Sequence, residues 1–333
     1  METIIGLLIV LVPVIFKLIG KKLEQAAQST SSQAEPIEDW AETLRRHLEA
    51  QQSQEQQIEV HPEPSPAPAQ APKKVIEKKT PEKVQKSSPI LQEEVKKKRE
   101  KIDPKKLASI VFTSGTTGKG KGVMLTTENI CMDMQQGMYN FNITERTMCV
   151  LPPHHTFGST VNFVGHYAQG CEIYISSGLK YIMNELKTFK PTPLILVPLF
   201  VETFYKRIMS AAEKSGKLDT LKKGIKISNF LRKFGIDIRK KLFGESVLSN
   251  FGGELEMIIC GGAALNQDII DFFESIGVTI LNGYGITECA PLISCNRNEY
   301  RKTGSVGMPI IGGHVKILNP DENGEGEICY KGP

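Results

Sequence analysis

The chain has 333 residues, enough for one large domain or two average ones, and the composition of an ordinary globular protein. Its formal net charge of +4 argues little about partners. Its seven cysteines form no CxxC pair and no Cys/His cluster with zinc-like spacing. This pattern argues against a zinc site and suits free thiols in a reducing compartment.

The N-terminal segment predicts a membrane anchor. Residues 4–16 are almost entirely apolar, and Lys17, Lys21 and Lys22 follow them. About 16 helical residues reach about 24 Å, short of the ~30 Å hydrocarbon core, so a span requires lysine snorkelling or local bilayer thinning. A cleaved signal peptide carries its positive charge before the apolar run. We therefore predict a membrane-anchor helix at 1–22, with the rest of the chain on the cytoplasmic side.

Residues 23–106 predict a disordered tether. The stretch is rich in Pro, Gln, Lys and Glu, and it has too little apolar surface to offset the entropy of ordering. A flexible tether of about 80 residues has an r.m.s. reach of roughly 50 Å, so it could hold a domain near a membrane without fixing its orientation. Within the tether, one helical face predicts at most a short interaction helix and consists of Ile37, Trp40, Leu44 and Leu48.

From residue 107 onward, apolar strand-like runs alternate with helical patterns. This alternation predicts an α/β domain with a mostly parallel sheet, in a stretch long enough to bury a sizeable core. The predicted strands are 108–113, 147–151, 172–175, 192–197, 255–260 and 278–281. The predicted helices are 127–140, 181–189, 199–214 and 266–276.

The most informative stretch follows the first predicted strand. It combines glycines, hydroxyl side chains and lysines, as a phosphate loop does: glycine lets the backbone approach, hydroxyls and N–H groups donate, and lysine supplies charge. The spacing of Gly115, Gly120 and Lys121 nearly matches the nucleotide P-loop. However, Gly122 stands where that motif needs Ser or Thr to hold Mg²⁺. The ordinary P-loop interpretation therefore fails, and the structural alternative is a glycine-rich hairpin without a ligand.

The same stretch resembles the phosphate-loop signature of the adenylate-forming superfamily, which includes acyl-CoA synthetases, peptide-synthetase adenylation domains and luciferases. That signature reads aromatic-Thr-Ser-Gly-Ser/Thr-Thr-Gly-x-Pro-Lys-Gly-Val. This sequence departs from it once, because Gly120 replaces the proline and should loosen the loop. The resemblance implies a set of ATP- or AMP-binding residues, namely Thr113, Ser114, Gly115, Thr116, Thr117, Gly118 and Lys121.

A second motif, Tyr-Gly-Ile-Thr-Glu at 284–288, resembles the family's Tyr-Gly-x-Thr-Glu. The resemblance implies that Tyr284 and Gly285 form part of the nucleotide site, with the tyrosine ring facing adenine. It also implies that Thr287 donates to the α-phosphate and that Glu288 binds Mg²⁺. Lys121, Thr287 and Glu288 are then the candidate catalytic residues. The structural alternative is a turn whose glutamate is merely solvated.

Two weaker segments agree with this resemblance. Gly261, Gly262 and Ala263 follow a predicted strand and look like the family's Gly-Gly-Ala adenine-binding segment, although any strand-to-helix turn can use glycines. His155 falls on the histidine of the family's Leu-Pro-x-x-His-x-x-Gly segment, which lines the acyl side of the site. A polar turn is the alternative for His155.

Residues 206–241 carry twelve Lys or Arg against three acids, in an amphipathic helical pattern. The plain interpretation is a pair of solvated surface helices. The functional alternative is a basic surface for anionic lipid or for the phosphates of coenzyme A. Nucleic acid is not expected, because no binding motif accompanies the charge. This insertion resembles the long-chain acyl-CoA synthetase branch of the family more than the peptide-synthetase branch.

The resemblance covers 107–333 and implies an acyl-CoA-synthetase-like large domain that is incomplete at both ends. It implies an AMP-forming long-chain fatty-acid–CoA ligase that uses ATP, Mg²⁺ and coenzyme A to convert a carboxylate into an acyl-adenylate and then a thioester. We match no residue here to the family's ribose-binding aspartate or its adenylation lysine, so we expect a fragment or fusion with little activity. The alternatives are a membrane-tethered, non-catalytic nucleotide-binding or scaffold protein, and an enzyme that adenylates amino or aryl acids.

We predict that deleting residues 1–22 moves the expressed protein from the membrane fraction to the soluble fraction, because the apolar run supplies the bilayer affinity. Cell fractionation measures this shift. Deleting residues 50–71 removes the same length of polar tether and should leave the protein with the membrane. Equal partition of the full chain and the 1–22 deletion would contradict the anchor.

Overall fold

The computed structural model describes residues 96–113, 120–141 and 145–332. The predicted anchor at 1–22, most of the predicted tether and residues 114–118 of the phosphate loop lie outside the described residues. Those predictions therefore stay as they were made. Among the described helices, none combines the length and the hydropathy that crossing a bilayer requires.

The described residues form an α/β fold, in which the strands belong to one large sheet and two hairpins. In chain order the strands are β1 Leu107–Thr113, β2 Lys121–Thr126, β3 Arg146–Cys149, β4 Glu172–Ile175, β5 Pro193–Leu196, β6 Met257–Cys260, β7 Thr279–Gly285, β8 Leu292–Cys295, β9 Met308–Pro309, β10 His314–Leu318 and β11 Glu327–Lys331.

Helices connect most of these strands. The α-helices are α1 Thr127–Met138, α2 His166–Ala168, α3 Ile182–Phe189, α4 Pro198–Lys214, α5 Leu218–Arg232, α6 Arg239–Phe243 and α7 Gln267–Ile276. A π-helix spans Phe157–Gly165, and short 3₁₀ helices span Leu248–Phe251 and Thr287–Cys289.

The large sheet has the strand order β4-β3-β5-β6-β7-β8-β9. The first five strands of this order, from β4 through β3, β5 and β6 to β7, pair in parallel. Strand β8 pairs antiparallel with β7, and β9 pairs antiparallel with β8. Parallel strands covered on both faces are apolar at successive positions. Leu194, Ile195 and Leu196 in β5 are accordingly 0% exposed, as is Ile258 in β6. The hydrophobic core therefore surrounds the parallel part of the sheet.

The predicted α/β class and mostly parallel sheet are confirmed, and the predicted strands and helices are found with ends shifted by a few residues. The strand predicted at 108–113 is present as β1 but does not join the large sheet. It pairs antiparallel with β2, with Thr113 opposite Lys121. The short connection between β1 and β2 explains their antiparallel pairing, because a parallel crossover needs a dozen or more residues whereas an antiparallel hairpin does not.

The ends of α1 and α7 follow from local hydrogen bonds. At the start of α1, Thr126 Oγ1 accepts from the Asn129 N–H at 3.1 Å while Asn129 Oδ1 accepts from the Thr126 N–H at 3.0 Å. This reciprocal cap joins β2 to α1 without an intervening loop. Helix α7 begins after Asn266, whose Oδ1 accepts from the Asp268 N–H, and ends at Gly277 with φ +104°.

The basic stretch 206–241 covers the end of α4, all of α5 and the start of α6. Leu221 and Ile225 pack against the core, while the lysines of α5 face solvent. Phe230 and Phe234 are 58% and 67% exposed and contact each other edge to face. The structure thus places the basic residues on helix surfaces, and their role toward lipid or coenzyme A stays a prediction.

We predict that Phe273→Ala lowers the free energy of unfolding by about 3–5 kcal/mol, the usual cost of the cavity left by a deleted core ring. Phe273 lies on α7 and is 0% exposed. The matched control is Phe230→Ala on exposed α5, for which we expect a change within about 0.5 kcal/mol. Denaturant unfolding of both variants measures the difference, and equal costs would contradict the assignment of the core.

Candidate functional site

The carboxyl ends of the parallel strands meet at one edge of the large sheet. Cys260 at the end of β6 lies opposite Asn282 in β7, so the segments that follow both strands are neighbours. A Cβ atom at Gly261 would lie 3.4 Å from the Gly283 carbonyl oxygen and 3.2 Å from Phe157 Cζ. Three separate segments of the chain therefore converge at this edge, where ligands of open α/β sheets bind.

Residues 261–263 form a small, glycine-lined ledge at this edge. Gly261 is buried under the Phe157 ring, whereas Gly262 and Ala263 are exposed. Gly262 has φ +89°, a conformation that glycine adopts at little cost. At Gly262 and Ala263, which the Phe157 ring does not bury, the ledge leaves room for a flat ring against the backbone.

The second motif forms a closed loop after β7. A Cβ atom at Gly285 would lie 1.9 Å from the Pro291 carbonyl oxygen, so only glycine fits there. The next N–H group, that of Ile286, donates to the same oxygen at 2.9 Å. Above this closure, the 3₁₀ helix presents Thr287, which is half-buried, and Glu288, which is exposed.

Strand β2 lies beside this 3₁₀ helix. The hairpin places Thr113 opposite Lys121 where the phosphate loop leaves and rejoins it. The structure therefore brings the strand that begins at Lys121 into contact with the 3₁₀ helix that carries Thr287 and Glu288. That these side chains share one ligand site stays a prediction. Lys121 is exposed and Thr113 is half-buried.

The thiol next to Glu288 is not poised for nucleophilic chemistry. Burial, together with the Glu288 and Asp133 carboxyls, raises the pKa of the neighbouring Cys289 thiol to about 11, so this thiol stays protonated near neutral pH. Within the described ranges, no three His, Cys, Asp or Glu side chains cluster closely enough to hold a metal by themselves. One exposed carboxylate does fit Mg²⁺, which commonly binds one or two carboxylates together with substrate phosphates.

His155 lies at the turn before the π-helix. Its side chain is exposed, with its ring 4.4 Å from that of His154. His166, which the sequence did not single out, is 0% exposed, and its Nδ1 lies 2.9 Å from the Asn162 carbonyl oxygen. Burial lowers the pKa of His166, which keeps it neutral and makes it a structural residue. Of these two histidines, His155 is the one that a ligand can reach.

Sequence reasoning missed two residues beside the site. The Phe157 ring covers Gly261. Phe157 is positioned by a π-helix that the hydrophobic periodicity of the sequence did not predict. Asp133 on α1 is only 4% exposed, and its Oδ1 accepts from the Leu292 N–H at 2.9 Å. One sequence signal could have indicated that Asp133 is buried. Asp133 lies four residues before Gly137, so both residues share one face of the helix, and that face is buried.

The sequence pattern of the AMP-binding enzyme family matches residues 8–333. Long-chain-fatty-acid–CoA ligase 6 of Mus musculus is 28% identical over 250 residues, which cover 69% of this chain and 35% of that protein. A probable chloroplastic acyl-activating enzyme 16 of Arabidopsis thaliana is 29% identical over 270 residues, covering 66% of this chain and 36% of that protein. The chain thus spans about a third of the length of the curated relatives it matches.

Among solved structures, ATP-bound MatB from Rhodopseudomonas palustris is similar to this fold, with a TM-score of 0.51 and 22% sequence identity. The alignment covers 69% of this chain and 40% of MatB. At this identity the similarity concerns the fold alone, and it agrees with the α/β architecture described above.

We predict that Lys121→Ala and Glu288→Ala each weaken binding of ATP in the presence of Mg²⁺ by about tenfold or more, because each removes a charge-assisted contact. Isothermal titration calorimetry measures the affinities. Lys222→Ala and Glu213→Ala remove the same charges from the exposed surfaces of α5 and α4, and should bind as the wild type does. If the two site variants also bind normally, the site assignment is wrong.

Proposed function

Because the chain belongs to the AMP-binding enzyme family, we propose that it binds ATP with Mg²⁺ and activates a carboxylate as an acyl-adenylate. This is the first half-reaction of an AMP-forming acyl-CoA synthetase. The observation that carries the proposal is a contact between two elements that carry distant motifs. Strand β2, which begins at Lys121 and pairs with β1, lies beside the 3₁₀ helix of Thr287 and Glu288.

Different parts of the site would bind different parts of the nucleotide. The ledge at 261–263, which follows β6, and the side chain of Tyr284, near the end of the neighbouring strand β7, would hold adenine. Lys121 and the Thr287 hydroxyl would contact phosphate oxygens, one with a full charge and one with a hydrogen bond. Glu288 would hold Mg²⁺, which supplies positive charge to the phosphates when bound.

In the proposed reaction the protein forms no covalent bond to the substrates. A carboxylate oxygen attacks the α-phosphorus of ATP, and the bond to the leaving pyrophosphate breaks. The thiol of coenzyme A then attacks the acyl carbon of the adenylate and displaces AMP. Catalysis of both steps rests mainly on positioning and on neutralising phosphate charge. The described residues supply a cation at Lys121 and a donor at Thr287 for that purpose.

We assign the acid substrate to the long-chain fatty acids. Support comes from the mouse long-chain-fatty-acid–CoA ligase named above and from the basic stretch at 206–241. His155 and Phe157, at the turn beside the ledge, would face the acyl side of the bound adenylate. Aryl or amino acids are the competing class, and a panel of acids separates the two.

A second candidate function is nucleotide binding without turnover. Lys121 and Glu288 are both exposed among the described residues, and charges in contact with water neutralise phosphate weakly. Water at the reacting phosphorus also lowers the benefit of preorganised charge. This exposure favours binding over rapid catalysis in the chain itself.

We predict that the 333-residue chain catalyses ATP–pyrophosphate exchange with palmitate at least about 10²-fold below ordinary enzyme rates of about 1–10³ s⁻¹, the cost of one weakened electrostatic contact. Exchange of labelled pyrophosphate into ATP measures the rate. Glu288→Ala should abolish what remains, whereas Glu213→Ala should not change it.

The same assay with benzoate and with single amino acids tests the acid class. Faster exchange with any of these than with palmitate would contradict the fatty-acid assignment. Exchange with palmitate at an ordinary enzymatic rate would show that the exposed site is sufficient for catalysis. Binding of ATP without exchange for any acid would favour the second candidate function.

A further inference from the structure

We propose that Asp133 is a positioning residue that fixes the segment carrying Thr287 and Glu288 to the helix that continues from the phosphate-loop hairpin. This inference rests on the proposed nucleotide site. Asp133 contacts no substrate in it, and acts through the backbone at Leu292.

The first support is the contact itself. Asp133 is 4% exposed, and its Oδ1 accepts from the Leu292 N–H at 2.9 Å. The two residues are 159 positions apart in the sequence, so this bond joins distant parts of the chain. Helix α1 also packs closely against the side chain of Leu292, because a Cβ atom at Gly137 would lie 2.9 Å from Leu292 Cδ2. Both the backbone and the side chain of Leu292 are therefore held by α1.

The second support is what each end of the contact is attached to. Leu292 begins β8 and follows directly on Pro291, the residue whose carbonyl closes the loop of the second motif. At the other end, Asp133 belongs to α1, which the reciprocal cap at Thr126 joins to β2 without a loop. Strand β2 begins at Lys121. One hydrogen bond thus links the rigid piece bearing Lys121 to the loop bearing Glu288.

The third support is the state of the carboxyl group. Asp133 Oδ2 is fully shielded, and none of the described residues makes a hydrogen bond or an ion pair with it. Burial raises the pKa of Asp133 to about 8, although the Leu292 N–H pulls it down in part. Near neutral pH the group is therefore a neutral acid, with Oδ1 free to accept from Leu292.

The protonation state of Asp133 matters because the other titratable groups that interact with it electrostatically are also acids. They are Cys289 on the 3₁₀ helix, Cys295 on β8 and Tyr330 on β11, and burial raises their pKa values to about 11, 12 and 12. Arg297 is the positive group that acts on Cys295. Between pH 7 and 9 Asp133 is then the member of this set that titrates, and its ionisation would place negative charge behind the phosphate site.

The experiment compares Asp133→Ala with Asp133→Asn. The alanine variant removes the acceptor, whereas asparagine keeps an oxygen for the Leu292 N–H and cannot ionise. Leu186→Ala, a core change on α3, is the control for general loss of stability. The two readouts are hydrogen exchange of the amides at 286–292, and calorimetric affinity for ATP with Mg²⁺ at pH 7 and 9.

We expect Asp133→Ala to lose amide protection at 286–292 and about tenfold in ATP affinity, the scale of one lost contact to a shielded group. Asp133→Asn should restore both to within about threefold, and Leu186→Ala should change neither. From pH 7 to 9 the wild type should lose more affinity than Asp133→Asn, because only the wild type acquires charge at this position.

Two outcomes would overturn the proposal. One is normal ATP affinity in Asp133→Ala, and the other is equal loss of affinity and protection in Asp133→Ala and Leu186→Ala. If the wild type binds no ATP, the proposed function fails. Amide exchange then decides by itself whether Asp133 fixes the loop, with unchanged protection in Asp133→Ala counting against it.

Discussion

The parallel hydrogen bonding of β6 to β7 is the constraint on which the candidate site depends. Pairing of Cys260 with Asn282 places the backbone after one strand beside the backbone after the other, so Gly261 and Gly283 become neighbours. A register slip of one residue would turn every side chain of β7 to the opposite face of the sheet. The apolar residues of both strands belong to the hydrophobic core, and their burial holds this pairing. Burial in the core thus fixes the geometry at the edge.

Much of this arrangement could be predicted from the sequence, because its signals are local. The strand 172–175 was predicted with its observed limits, and the helix predicted at 266–276 is observed as α7 with its start shifted by one residue. The residues at 113, 121, 287 and 288 were predicted to share a site, which stays a prediction, and the structure brings β2 into contact with the 3₁₀ helix of 287–289. Each of these predictions needs only periodicity or a motif within one short stretch.

The rest depends on contacts between distant residues. The sequence of β1 is that of a buried strand, yet β1 pairs in a hairpin outside the large sheet. The π-helix contains glycine and β-branched residues of low helix propensity, so its form comes from packing. Asp133 has the sequence context of an ordinary surface acid on an amphipathic helix. Its importance appears only with Leu292, which the fold brings to it from 159 positions away.

These distant contacts would supply the rigidity that the proposed phosphate site requires. Gly285 and Pro291 close the loop of the second motif at its base, and Asp133 holds the residue immediately beyond that closure. The loop can then present Thr287 and Glu288 without a helix or a long strand of its own. A charged side chain on an unsupported loop would lose conformational freedom on binding, which offsets part of the attraction to phosphate. Preorganisation by uncharged contacts therefore matters most where the charged groups are exposed, as Lys121 and Glu288 are here.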